Sequence, residues 1–191
     1  MAESTLVAPK TGDVRLSAEA KTERYQAVLA QLHAVLADED DLLAAMCTTV
    51  CLLHNALPYF FWTGFYRRVG ESLLRVGPYQ GTLGCLEIDF ARGVCGAAAR
   101  QRATVIVADV EAFPGHIACD SASASEIVVP VFDRAGELIA VLDVDSTVVG
   151  AFDAVDQHFL EAAVALLAEK APRPVVWPAP EAALAPHAPR G

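Results

Sequence analysis

The stretch EIVVPVFDRAGELIAVLDVDS, Glu126 to Ser146, holds two apolar runs separated by four turn-forming residues. Runs of Val, Ile and Leu of this length favour strands. Asp133-Arg134-Ala135-Gly136 suits a tight hairpin, so Glu126–Phe132 and Glu137–Val144 are read as antiparallel partners. The second run closes on Asp143-Val144-Asp145. Side chains alternate along a strand, so both aspartates share one face and Val144 takes the other. Glu126 opens the neighbouring strand. Three carboxylates in one place raise at least one pKa by mutual repulsion, and such groups gather at functional sites.

Outward from this hairpin, the same reasoning places the remaining elements. Tyr59–Arg67 reads as a strand, Gly70-Glu71 as a turn and Ser72–Val76 as its hairpin partner. Leu86–Phe90 and Thr104–Val107 are short strands on either side of Gly93–Arg102, which reads as a short helix. Two helices come first. Ser17 caps one, in which Tyr25, Val28, Leu29, Leu32 and Leu36 recur at helical spacing as far as about Ala37. Leu42, Met46, Val50, Leu53 and Leu57 form the stripe of the second, and Pro58 fits its end. Cys47 and Cys51 are read as part of that helix's core. A last helix starts at Asp153. After Lys170 the character changes, with six of the eleven prolines between Pro172 and Pro189. The reading is therefore an N-terminal tail (1–16), one α+β domain (17–170) and a Pro/Ala-rich disordered tail (171–191). Hairpin connections make the sheet largely antiparallel, with the helices expected against one face.

Composition narrows the function classes. Hydrophobic residues are 54% of the 191, enough for a real core. The 14 Lys and Arg against 24 Asp and Glu leave a formal charge of −10. An acidic chain repels phosphate backbones and anionic lipids, so neither nucleic acid nor a membrane surface is expected as partner. Leu42 to Tyr66 carries no charged residue and is long enough to span a bilayer. Its polar Thr48, Thr49, His54 and Asn55, the interruption at Pro58 and the aromatic second half fit a buried helix followed by a buried strand better. The opening residues MAESTLVAPK lack the form of a secretory signal, so a reducing, cytoplasmic setting is expected. Five cysteines, an odd number, do not read as a disulfide scaffold.

Chemistry concentrates between Gly84 and Ser146. Cys119 lies in a polar loop after His116, and a loop cysteine near backbone N–H groups can act as a thiolate nucleophile. It can equally be a small residue packed inward. Cys95 stands at a predicted helix start, which favours thiolate, and Cys85 follows Gly84 in a loop. Three such sulfurs suggest one attacking thiol and one or two resolving thiols. The metal alternative gathers Cys85, Cys95, Cys119 and His116 around zinc, though without the short Cys-x-x-Cys knuckle. Trp62 and Tyr66 share a strand face, as core or as the wall of a ligand box.

Taken together, Trp62-Thr63-Gly64-Phe65-Tyr66, Gly77-Pro78-Tyr79-Gln80-Gly81, Gly93-Val94-Cys95-Gly96, Phe113 through Ser123, Ser125 through Pro130, Gly136 through Ile139 and Leu142 through Ser146 resemble the free methionine-(R)-sulfoxide reductase family, which is built on a GAF domain. The resemblance covers about Trp62 to Ala168 well. It implies a single GAF-like domain with a six-stranded, mainly antiparallel sheet and helices packed on it, often as a homodimer. It implies thiol-dependent reduction of free methionine-(R)-sulfoxide, with no metal or organic cofactor and with thioredoxin as reductant. By similarity Cys119 is the nucleophile, Cys85 the first candidate resolving thiol and Cys95 a second. Glu126, Asp143 and Asp145 match the substrate-pocket carboxylates, and Trp62 and Tyr66 the aromatic wall. The backbone near Ile117 and Ala118 is suggested for the substrate carboxylate. The rival to an enzyme is a non-catalytic GAF-type sensor that binds a small ligand.

Overall fold

Six strands form one sheet in the order β3-β2-β1-β6-β5-β4, every neighbouring pair antiparallel. The computed structural model describes residues 14–115 and 119–171. The strands are β1 (Trp62–Arg68), β2 (Leu73–Gln80), β3 (Glu87–Asp89), β4 (Val105–Val107), β5 (Ser125–Phe132) and β6 (Leu138–Ser146). The helices are α1 (Ala18–Val35), α2 (Leu42–Ala56), α3 (Gly93–Gln101) and α4 (Ala154–Ala168). This is the α+β architecture the sequence predicts. Most of both proposed tails, residues 1–13 and 172–191, falls outside the described residues.

The β5–β6 hairpin forms where it is expected. Asp133 Oδ1 accepts from the backbone N–H groups of Ala135 and Glu137 at 2.8 and 2.9 Å. Gly136 sits at φ +81°, a conformation that glycine adopts without steric cost. The helix starts are also chemically marked. Ser17 Oγ accepts from Ala20 N, and Asp153 with Asp156 forms a reciprocal capping box on α4.

Strand alternation splits the core in two. Phe65, Ile127, Val129, Leu142 and Val144 point to the face covered by α1, α2 and α4. Trp62, Tyr66, Val128 and Val141 point to the opposite face, where α3 packs with Val94, Ala98 and Ala99. The helices thus cover both faces, three on one and α3 on the other. Hydrophobic periodicity says which side of a helix is buried but not against which side of a sheet, so the one-face expectation fails here.

A polar knot ties the ends of the domain together. Asp156, fully buried, accepts from Lys21 Nζ, Tyr25 Oη and Tyr59 Oη. Lys21 also pairs with Asp153 at 2.8 Å and donates to Ala151 O. A buried charge is tolerated only when paired and hydrogen-bonded like this, and removing one partner typically costs about 3–5 kcal/mol.

Two readings of α2 are settled. Leu42, Met46, Val50, Leu53 and Leu57 are buried as predicted, but Cys47 and Cys51 are exposed rather than part of the core. Each follows a stripe residue by one position, which turns it about 100° away from the buried face. No helix among the described residues is long and apolar enough to cross a membrane. The uncharged run at 42–66 is a helix followed by a strand.

Candidate active site

Register builds the site. In the β5–β6 ladder Glu126 stands opposite Asp145 and Val128 opposite Asp143; in the β1–β6 ladder Trp62 stands opposite Asp145 and Gly64 opposite Asp143. Trp62, Asp145 and Glu126 therefore form a row across three strands, with Asp143 and Tyr66 in line along their own strands. All project to the α3 face, and all line one cavity. Cross-strand neighbours sit about 4.5–5.5 Å apart at Cβ, so the carboxylates are in mutual contact range.

The aromatic wall depends on missing side chains. Trp62 stacks on Tyr66, centroids 5.6 Å apart and rings 22° from parallel, and on Tyr79, 5.4 Å and 17°. Its Nε1 donates to Thr82 O at 3.1 Å. The indole lies against Gly64, where a Cβ would come within 2.5 Å of Trp62 Cη2 and 2.4 Å of Tyr79 Cβ. Gly84 crosses the far edge of the ring, and a Cβ there would stand 3.0 Å from both Trp62 Cζ2 and Tyr66 Oη.

Burial dominates the electrostatics. Glu126 and Asp143 are buried and Asp145 partly so. Loss of solvent pushes Asp143 up to about 7, held back by hydrogen bonds from Cys95 and Glu126. Desolvation, then repulsion from Asp143 and Asp145, pushes Glu126 well above the usual carboxylate range. Asp145 is raised by desolvation and by Asp143, while the Ser123 hydroxyl pulls it back. The group holds protons near neutral pH and can donate one. Asp143 Oδ1 is buried and has no hydrogen-bond partner among the described residues.

Two of the three candidate sulfurs are joined. Cys85 and Cys119 form a disulfide, Cα atoms 5.3 Å apart across a separation of 34 residues. Cys119 lines the cavity and Cys85 closes on it from the β2–β3 loop. Tied in this way, the two sulfurs are not free thiolates, the form in which cysteine binds zinc. Cys95, the third residue of α3, is buried in the cavity floor. Burial, then Asp143 and Glu126, pushes its thiol well up. This reverses the thiolate expected from its place at a helix start: two facing carboxylates and lost solvent outweigh the helix dipole. The Cys95 sulfur and one oxygen each from Glu126 and Asp143 lie within 4.8 Å of one another, close enough to share a cation.

Trp62, Tyr66, Cys95, Cys119, Glu126, Asp143 and Asp145 thus converge on one cavity, with Cys85 bonded to it. Ile117 and Ala118, and His116 before them, lie outside the described residues. Ser123, which hydrogen-bonds Asp145, belongs to the same site and was not singled out from sequence. Its only signal was its place in the Phe113–Ser123 run. Gly84 was missed as well, because its contribution is the room it leaves.

Known proteins resemble this chain over most of its length. The GAF domain family model matches residues 37–169. GAF domain-containing protein A of Dictyostelium discoideum is 42% identical over 155 residues, covering 81% of this chain and 97% of that protein. Free methionine-R-sulfoxide reductase of Escherichia coli (strain K12) is 42% identical over 147 residues, covering 77% of this chain and 88% of that protein. A solved structure of free methionine-R-sulfoxide reductase from Neisseria meningitidis, in complex with its substrate, superposes with a TM-score of 0.76 at 42% identity, covering 84% of this chain and 95% of that one. With a shared fold, this level of identity and coverage, and a cavity built from the same short runs, the chain belongs to the free methionine-R-sulfoxide reductase family of GAF-domain oxidoreductases.

Proposed function

We propose that this protein reduces free L-methionine-(R)-sulfoxide to methionine, with Cys119 as the attacking thiol. One observation carries the reading: Cys119, already paired with Cys85, lines the same cavity as three carboxylates and two stacked rings. A protonated carboxyl of the Glu126/Asp143/Asp145 group protonates the sulfoxide oxygen and makes the sulfur electrophilic. The Cys119 thiolate attacks that sulfur. Methionine leaves reduced by two electrons, and Cys119 keeps the oxygen as a sulfenic acid. The Cys85 thiol condenses with it, releasing water and forming the disulfide. Thioredoxin then reduces the disulfide by thiol exchange, and no metal or organic cofactor enters the cycle.

A free amino acid needs partners for both of its charges. The buried, unsatisfied Asp143 Oδ1 suits the ammonium. The backbone near Ile117 and Ala118 is assigned the substrate carboxylate, and the Trp62–Tyr66 wall the methyl group. Cys85 is preferred to Cys95 for the resolving step because Cys95 is buried and held as a neutral thiol. Association as a homodimer and residence in a reducing cytoplasm complete the proposal.

The test mixes the protein with each epimer of free methionine sulfoxide, thioredoxin, its reductase and NADPH. NADPH is consumed with the R epimer and not with S. Well-folded protein that consumes none with either epimer points instead to the ligand-sensing role.

A further inference from the structure

The disulfide emerges at an unusual piece of surface. Seven large hydrophobic side chains are exposed among the described residues, and three of them, Tyr79, Leu83 and Leu86, fall within eight residues around Cys85. Leu86 is the most exposed of the seven, at 74%, and Leu83 follows Val35 at 55%. Leu83 borders the active-site cavity, whereas Leu86 neither lines that cavity nor joins a core cluster among the described residues. Clustered exposed apolar residues mark a surface that something covers. The occupant follows from the bond in their midst. Cys85 and Cys119 are both partly exposed, and a thiol that attacks Cys85 meets this loop.

We propose that Leu83 and Leu86 form the apolar collar on which a dithiol protein of the thioredoxin class seats to reduce the Cys85–Cys119 disulfide. The inference rests on the recycling step proposed above and names the surface that performs it. The partner's first thiolate attacks Cys85 Sγ, forming a mixed disulfide and releasing Cys119 as thiolate into the cavity. The partner's second thiol displaces Cys85, which leaves as a thiol. Two cysteines of the partner are oxidised to a disulfide and two of this chain are reduced. The charged residues nearest in sequence to the two sulfurs are Glu87, whose carboxylate is paired with Arg75, and Asp120. An apolar collar with little unpaired charge beside it fits an uncharged contact surface around a reactive dithiol.

The measurement needs no sulfoxide. Oxidised protein is mixed with a reduced bacterial thioredoxin, and loss of the disulfide is followed by thioredoxin fluorescence in stopped flow. Leu86→Asp lowers the second-order rate constant about tenfold, the weight of a central interface side chain, while Leu86→Met stays near wild type. The rate with dithiothreitol, which needs no docking surface, is the same for all three proteins. Equal thioredoxin rates for wild type and Leu86→Asp would overturn the collar and leave the recycling step standing. A Leu86→Asp protein slowed equally with dithiothreitol overturns it too, since the substitution then acts on the disulfide itself. Wild type reduced by dithiothreitol but not by thioredoxin refutes the recycling step, and the collar falls with it.

Discussion

At Cys119, serine keeps the shape of the side chain and removes its redox chemistry. Cys119→Ser is expected to abolish turnover while circular dichroism and melting of the reduced proteins stay unchanged; sustained turnover would return the nucleophile to another sulfur. Cys85→Ser is expected to release about one methionine per chain in a burst, then to recycle slowly with thioredoxin. Undiminished steady-state turnover would move the resolving role to Cys95. Asp143 carries a pH signature. Its carboxyl is raised to about 7 in the folded protein, against about 3.9 in an unfolded chain. Between those values the unfolded state ionises while the native state keeps its proton, so native stability falls as pH rises from about 4 through 7. Asp143→Asn removes that slope: its melting temperature should exceed wild type by more at pH 8 than at pH 5. A gap that does not change with pH would show that Asp143 titrates normally. Residues at this scale were unevenly legible. The shared face of Asp143 and Asp145 follows from period-two geometry alone. The Cys85–Cys119 contact spans 34 residues, and no local rule links them; only the resemblance to a family brought them together. Cys47 and Cys51 were misplaced because a spacing of four puts two residues on one helix face without saying which face is buried.

Among the elements, α3 is held by one absent methyl group. A Cβ at Gly96 would stand 2.5 Å from Phe90 O and 2.8 Å from Asp89 O, both backbone atoms that cannot swing aside. Gly96→Ala is therefore expected to push α3 off β3 and cost about 1–3 kcal/mol, the range for overpacking. Urea titration should show a lower midpoint at unchanged slope, and an unchanged midpoint would mean the backbone yields freely. Because α3 supplies Cys95 to the cavity floor, activity should fall with it. The hairpin of β5 and β6 was readable because turn chemistry and apolar runs agree. Strand β2 runs four residues beyond its predicted end, through Gly77-Pro78-Tyr79-Gln80. Glycine and proline read as breakers, yet here the β1–β2 register shifts between Gly64 and Tyr66, and such a bulge accommodates a proline. That extension carries Tyr79 onto the Trp62 ring.

For the molecule as a whole, the redox state should be visible in stability. The disulfide links residues 34 apart, and the chain-entropy model assigns a closed loop of that size about 3–4 kcal/mol. Oxidised protein is expected to melt several degrees above reduced protein, and coincident melting curves would mean that the bond is offset by strain or by residual structure. The arrangement of helices has a further consequence. Lys21 meets the start of α4, and Lys170 Nζ donates to Ala37 O beyond the end of α1, so the two helices run side by side in the same direction. The described chain thus begins and ends on the side of the sheet that α3 does not share. Fluorescent reporters or affinity handles joined directly to the described stretch, before Val14 or after Ala171, would start behind the sheet, away from the face that holds the cavity.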